Sequence, residues 1–167
     1  GSLNTGRNGV QNSGGGTQTA GLCFGGASPS LLNEAYNGST WTEVNDLNSA
    51  KQYHGGAGTQ TSAMAMEGEV ETWNGTNWTE VSALNTPRSQ TAGAGATNTA
   101  ALCFGGGPPT SLKANTENWN GSSWTEVSDL NTARRQLTGV GTNTSALAFA
   151  GGPPAQAKND YWDGTAW

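Results

Sequence analysis

Isoleucine is absent from the chain, leucine, valine and phenylalanine are sparse, and only 11% of the residues are charged. A shortage of branched aliphatics on this scale goes with disorder when net charge is high. Here the net charge is −5, so little self-repulsion holds the chain open. Seven tryptophans make up much of the missing bulk, each able to bury roughly 150–250 Å². The expectation is an ordered chain with a substantial core.

Histidine occurs once, at His54, and cysteine twice, at Cys23 and Cys103. That set provides no Cys/His cluster at metal spacing. It also leaves a catalytic triad with one candidate base and no evident group to orient it. Seven Lys and Arg against twelve Asp and Glu form no basic patch, which excludes nucleic acid as the expected partner. No apolar run approaches the roughly 18 residues of a membrane span, so no membrane contact is expected, and no signal peptide is visible. Twenty-six scattered glycines exclude long helices, since each would cost about 1 kcal/mol against alanine. The reading is therefore of a protein that is not an enzyme, with no catalytic residue, no metal and no cofactor.

What the chain has instead is a fourfold repeat. Residues 114–134, ANTENWNGSSWTEVSDLNTAR with the preceding residues counted in, share a frame with AYNGSTWTEV, TWNGTNWTEV and YWDGTAW. An aromatic (Tyr36, Trp73, Trp119, Trp162) precedes an Asn-Gly or Asp-Gly pair, and a tryptophan (Trp41, Trp78, Trp124, Trp167) follows it. Every tryptophan occupies one of these two slots. Asn-Gly between two β-prone runs signals a hairpin with a type I′ turn, which needs positive φ at both positions. The two aromatics of each unit are expected to be cross-strand partners that pin register and cover the seam to the next unit.

Ahead of each hairpin stand Leu-Asn, a basic residue (Arg7, Lys51, Arg88, Arg134) and a segment of small residues, read as a first strand. Small side chains suit a strand in a place where backbones crowd together. A second strand alternates clearly: Leu22 and Phe24, Met64 and Met66, Leu102 and Phe104, and Leu147 and Phe149 share one face, with Cys or Ala between them. A double glycine closes it in three units. Cys23 and Cys103 share a slot with Ala65 and Ala148, so they read as small buried side chains and not as a disulfide or metal pair. Four short antiparallel strands in units of about 37 to 46 residues are the spacing of a propeller blade.

The combination of double glycine, paired aromatic and tryptophan, and a basic residue opening the innermost strand resembles the kelch repeat, over the whole chain. The wording WNGSSWTEV…LNTAR…TAALCFGG is also similar to regular kelch-like arrays of marine phage and environmental sequences. The second unit departs from the pattern, with Glu67-Gly68 in place of Gly-Gly. The resemblance implies an all-β propeller of four short four-stranded antiparallel blades, approximately 1–45, 46–82, 83–128 and 129–167. It implies too that Arg7, Lys51, Arg88 and Arg134 bind neighbouring backbone or carboxylate, with Glu43, Glu80 and Glu126 as available partners. Gly1-Ser2-Leu3 aligns with Ser128-Asp129-Leu130, and Trp167 with Trp124, so four units make one circuit. A closed four-blade ring is expected; the alternative is part of a larger ring completed by further copies or further chain.

What varies between units is the loop after the second strand, at 27–33, 107–113 and 152–158. Leu31, Leu32, Pro108, Pro109, Leu112, Pro153 and Pro154 lie there and form the candidate contact surface. Function is expected to be a protein-interaction or structural module whose partners are other proteins or further copies of itself. The phage-like resemblance implies a virion surface or tail-associated component, on the virion or otherwise extracellular. The alternative is a carbohydrate-binding propeller that uses the repeated tryptophans or the blade loops on glycans.

Overall fold

The structure, a computed structural model, describes residues 1–10, 14–26, 28, 30–108 and 110–167. Among them there is no helix. The strands form four antiparallel sheets, each a simple meander. Blade one holds β1 (Gly14–Thr17), β2 (Ala20–Phe24), β3 (Asn33–Tyr36) and β4 (Trp41–Glu43). Blade two holds β5 (Gly55–Thr59), β6 (Ser62–Met66), β7 (Val70–Trp73) and β8 (Trp78–Val81), and blade three β9 (Ala92–Thr97), β10 (Ala100–Phe104), β11 (Thr116–Trp119) and β12 (Trp124–Val127). Blade four has three strands, β13 (Thr138–Gly141), β14 (Ala146–Phe149) and β15 (Asn159–Trp162). Trp167 stands where the other blades begin their fourth. The sheets are arranged as a four-blade β-propeller, with β5 packed between β1 and β9, and β9 between β5 and β13.

The innermost strands touch main chain to main chain, which explains their small residues. A Cβ on Gly93 would come within 2.7 Å of the Gly56 carbonyl oxygen, and one on Gly139 within 2.5 Å of that of Gly93. No side chain fits between them.

The aromatic pairs are cross-strand partners, as Tyr36↔Trp41, Trp73↔Trp78 and Trp119↔Trp124. Their ring centroids lie 5.1 to 5.4 Å apart, and Trp162 and Trp167 repeat the arrangement at 5.4 Å. The hairpin turns differ from the type I′ expectation. Positive φ falls on the glycine alone (Gly38, Gly75, Gly121 and Gly164, φ 94 to 101°), never on the residue before it. That residue acts through its side chain: Asn74 Oδ1 accepts the amides of Thr76 and Asn77 at 2.9 Å each. Asn120 does the same for Ser122 and Ser123 at 3.0 Å. A side-chain carbonyl that mimics a backbone acceptor gives asparagine its place here, and aspartate serves equally at Asp163.

A second left-handed position was not foreseen. Gly9, Tyr53, Gln90 and Gln136 are equivalent, two residues after each basic residue, with φ of 51 to 67°. Each turns the chain from the linker before it into the innermost strand.

Three hydrophobic cores fill the seams between consecutive blades. Leu22 and Phe24 of blade one meet Ala63, Ala65, Trp73 and Trp78 of blade two. Met64 and Met66 of blade two meet Ala101, Cys103, Trp119 and Trp124 of blade three. Leu102 and Phe104 of blade three meet Ala146, Ala148 and Trp162 of blade four, with Trp167 packed alongside. Each seam thus joins a large-residue face of one blade to an alanine-and-tryptophan face of the next. Among the described residues no fourth core lies between blade four and blade one.

Candidate functional site

The basic residue of each unit is buried and bound, but not to the carboxylates of the fourth strand. Arg7 pairs with Glu34 at 3.0 Å, Lys51 with Glu71 at 3.6 Å, Arg88 with Glu117 at 2.5 Å and Arg134 with Asp160 at 2.6 Å. Glu43, Glu80 and Glu126 are exposed. They sit directly across from Glu34, Glu71 and Glu117 on the outer strand, so the third-strand carboxylate, nearer the axis, is the one the cation reaches. The signal was present in the chain: an acid stands two residues before the hairpin aromatic in all four units.

Each cation also staples its own blade. Arg88 donates through Nε to the Gly105 carbonyl at 2.9 Å and through Nη2 to that of Cys103 at 3.1 Å. Arg7 donates to the carbonyls of Leu32 and Cys23. The carboxylates are saturated in turn: Glu117 accepts the amide of Asn85 at 2.7 Å, and Glu71 that of Asn48 at 2.8 Å. The asparagine side chains continue to the tryptophan backbone, Asn48 to Trp78 and Asn85 to Trp124, both at 3.0 Å. Removing one member of such a buried pair typically costs about 3–5 kcal/mol, because the other charge is left uncompensated.

The tryptophans are equally committed. Trp73, Trp78, Trp119, Trp124 and Trp162 are buried. Trp73 Nε1 donates to Gln60 O at 2.9 Å, Trp119 to Asn98 O at 3.1 Å, Trp162 to Asn143 O at 3.0 Å and Trp124 to Ser82 O at 3.0 Å. The second tryptophan of a pair reaches the preceding blade. Trp78 meets Phe24 edge to face at 4.9 Å, and Trp167 meets Phe104 at 4.8 Å. Trp41 is only half-buried and contacts no ring but Tyr36 among the described residues.

Both cysteines are free thiols. Burial pushes each thiol up from its ordinary range, against the pull of Arg7 on Cys23 and of Arg88 on Cys103. His54 is fully buried and stacks on Phe24 with ring centroids 5.4 Å apart. Neither ring nitrogen has a hydrogen-bond partner among the described residues. Desolvation, with the nearby Lys51 charge adding to it, pulls its pKa down to about 3. The equivalent slot of blade four holds Leu137. Among the described residues no three His, Cys, Asp or Glu side chains group as metal ligands.

Two concave places stand out among the described residues. A cavity of about 270 Å³ lies on the axis, walled by the inner strands of all four blades, Gly14–Gly16 and Gly139–Gly141 among them. A second hollow of about 330 Å³ lies beside Gly152 and Pro153.

The variable loops do not converge. Leu31 is exposed, and Leu32 and Leu112 are half-buried. Pro108, Pro153 and Pro154 are exposed, and Pro109 lies outside the described residues. Arg135 ties two of the loops together: its Nη1 donates to Pro108 O at 3.1 Å, and its backbone pairs with Gly152. Among the described residues no hydrogen bond joins either to the loop around Leu31.

Missed in the sequence were the faces at the open seam. The side of blade four equivalent to Leu22 and Phe24 carries Val140, Leu147, Phe149 and Tyr161, with Val140 50% and Tyr161 69% exposed. The side of blade one equivalent to Ala63, Ala65, Trp73 and Trp78 carries Gly21, Cys23, Tyr36 and Trp41, all half-buried. No family model matches the chain, and no curated protein matches it either.

Proposed function

We propose that this chain is a non-enzymatic interaction or structural module built of kelch-like blades. One observation carries the reading: the repeated side chains of each unit, its basic residue, its third-strand carboxylate and most of its tryptophans, are used in holding blades together. The cations are paired, the third-strand carboxylates are saturated, and five of the seven tryptophans are buried. What stays available for a partner includes the seam faces, the loop residues Leu31, Pro108, Pro153 and Pro154, the glycine-walled axis and the exposed fourth-strand carboxylates Glu43, Glu80 and Glu126. The kelch-like wording shared with marine phage arrays supports a place on a virion surface or tail, with other proteins or further copies as partners.

The carbohydrate reading has a foothold in the half-buried Tyr36–Trp41 pair, the one aromatic pair that, among the described residues, no preceding blade covers. A glycan array with the wild type, Trp124→Ala and Trp41→Ala separates the two. The expected result is no glycan signal from any of them, with Trp124→Ala losing about 3–5 kcal/mol of stability, as for a large buried aromatic. A glycan signal lost in Trp41→Ala with the fold intact overturns the structural reading.

A further inference from the structure

We propose that the open faces of blade four and blade one bind each other between two copies of this chain, head to tail. The inference rests on the module reading and names the partner of that module. Its grounds lie in the seams the molecule already makes.

Each of the three packed seams brings the same two surfaces together. The face with Leu22 and Phe24, Met64 and Met66, or Leu102 and Phe104 is covered by alanines or cysteine and a tryptophan pair. Blade four ends with the first kind of face uncovered and blade one with the second. A copy therefore carries both halves of a contact that its own interior repeats three times, and one half of each kind. At that contact Phe149 of one copy takes the place of Phe24 or Phe104, and Trp41 of the next takes the place of Trp78 or Trp167.

Among the described residues no hydrophobic core joins the two halves within the chain. Gly93 and Gly139 abut the inner strand of the preceding blade, whereas a Cβ on the equivalent Gly14 would have near it, among the described residues, only the carbonyl oxygen of its own blade's Leu22. Gln60 and Asn98 reach back to the preceding blade, Gln60 to Tyr36 O at 2.7 Å and Asn98 to Trp73 O at 2.9 Å. Gln18, at the same turn of blade one, is exposed.

Residue sizes at the open seam depart from those at the three packed seams. Val140 stands where the other inner strands have Gly15, Ala57 and Ala94, and Tyr161 where the other third strands have Ala35, Thr72 and Asn118. Opposite them, blade one has Gly21 where the others have Ala63, Ala101 and Ala146, and Tyr36 where they have tryptophan. Blade four is larger at two slots and blade one smaller at two, the arrangement that close packing demands of facing surfaces. The contact is heterologous, so it builds a ring if the rotation between copies closes and an open chain if it does not.

Sedimentation of three proteins over a range of concentrations tests this: the wild type, a blade-four variant (Val140→Lys with Tyr161→Lys) and a blade-one variant (Gly21→Lys). Val140 and Tyr161 are exposed, and a side chain on Gly21 meets its neighbours only at 3.5 Å and beyond, so all three fold; matching far-ultraviolet circular dichroism checks that they do. The wild type is expected as two or more chains, each variant as one, and an equimolar mixture of the two variants as a heterodimer, since one good face of each kind remains. A monomeric wild type at every concentration, or a mixture of the variants that stays monomeric, overturns the proposal. Either result leaves the module reading standing on the glycan and tryptophan experiment, which does not depend on assembly.

Discussion

His54 spends its burial on packing alone: its ring stacks on Phe24 and, among the described residues, both nitrogens go without a hydrogen-bond partner. The consequence is a pH dependence with a definite sign. The unfolded chain protonates this group near pH 6.5, while the folded chain refuses the proton until about pH 3. Between those values the unfolded state binds more protons, so stability falls as pH falls, by up to about 1.4 kcal/mol per pH unit from this one group. Leu137 in the equivalent slot shows that an aliphatic residue fits. His54→Leu is expected to fold and to lose less stability than the wild type between pH 6.5 and 4, measured by denaturant unfolding at each pH; equal losses in the two proteins would refute this account. In the sequence His54 had no evident orienting partner, but its depth was hidden, because burial there is conferred by Gly25 and Phe24 of the preceding blade. The carboxylates named as available to the four basic residues, Glu43, Glu80 and Glu126, were the wrong ones for a similar reason. Glu126 and Glu117 lie on the same face of one hairpin, and only the distance from the axis separates them.

At the level of the strand and the turn, the chain was largely readable. Alternation located the second strands, the aromatic pairs located the hairpins, and the glycine-rich runs located the inner strands. The variable loops were located as well, but their neighbours were not, since contacts such as Arg135 to Pro108 depend on how successive units pack. The entry into the inner strand was invisible, because three of its four left-handed residues are Tyr53, Gln90 and Gln136, where composition gives no cue. An L-residue there carries about 1–2 kcal/mol of strain, while glycine adds roughly 0.5–1 kcal/mol of unfolded-state entropy. Gln136 is exposed, and no side-chain hydrogen bond holds it among the described residues. Gln136→Gly is therefore expected to raise stability by about 0.5–1 kcal/mol in chemical denaturation. A loss of similar size would show that the side chain has a role its exposure does not suggest.

For the whole molecule, the repeat announced the propeller, yet the state of its last seam could not be read from units that are nearly alike. Alignment favours a closed circuit of four; among the described residues the packing fills three seams with a core and not the fourth. That asymmetry should be visible in hydrogen exchange, since protection follows local packing. In dilute solution the amides of β1 and of β13 are expected to exchange faster than those of β5 and β9, which are covered on both sides. Uniform protection across the four inner strands would mean the ring is sealed within one chain.

The main-chain wall of the axis has its own implication. With Gly93 against Gly56 and Gly139 against Gly93, a substitution there cannot line the bore; it can only push two blades apart. The diameter of the central hole is thus fixed by how many wedges share the circle, and descendants of this architecture would retune it by gaining or losing a unit, not by exchanging a residue.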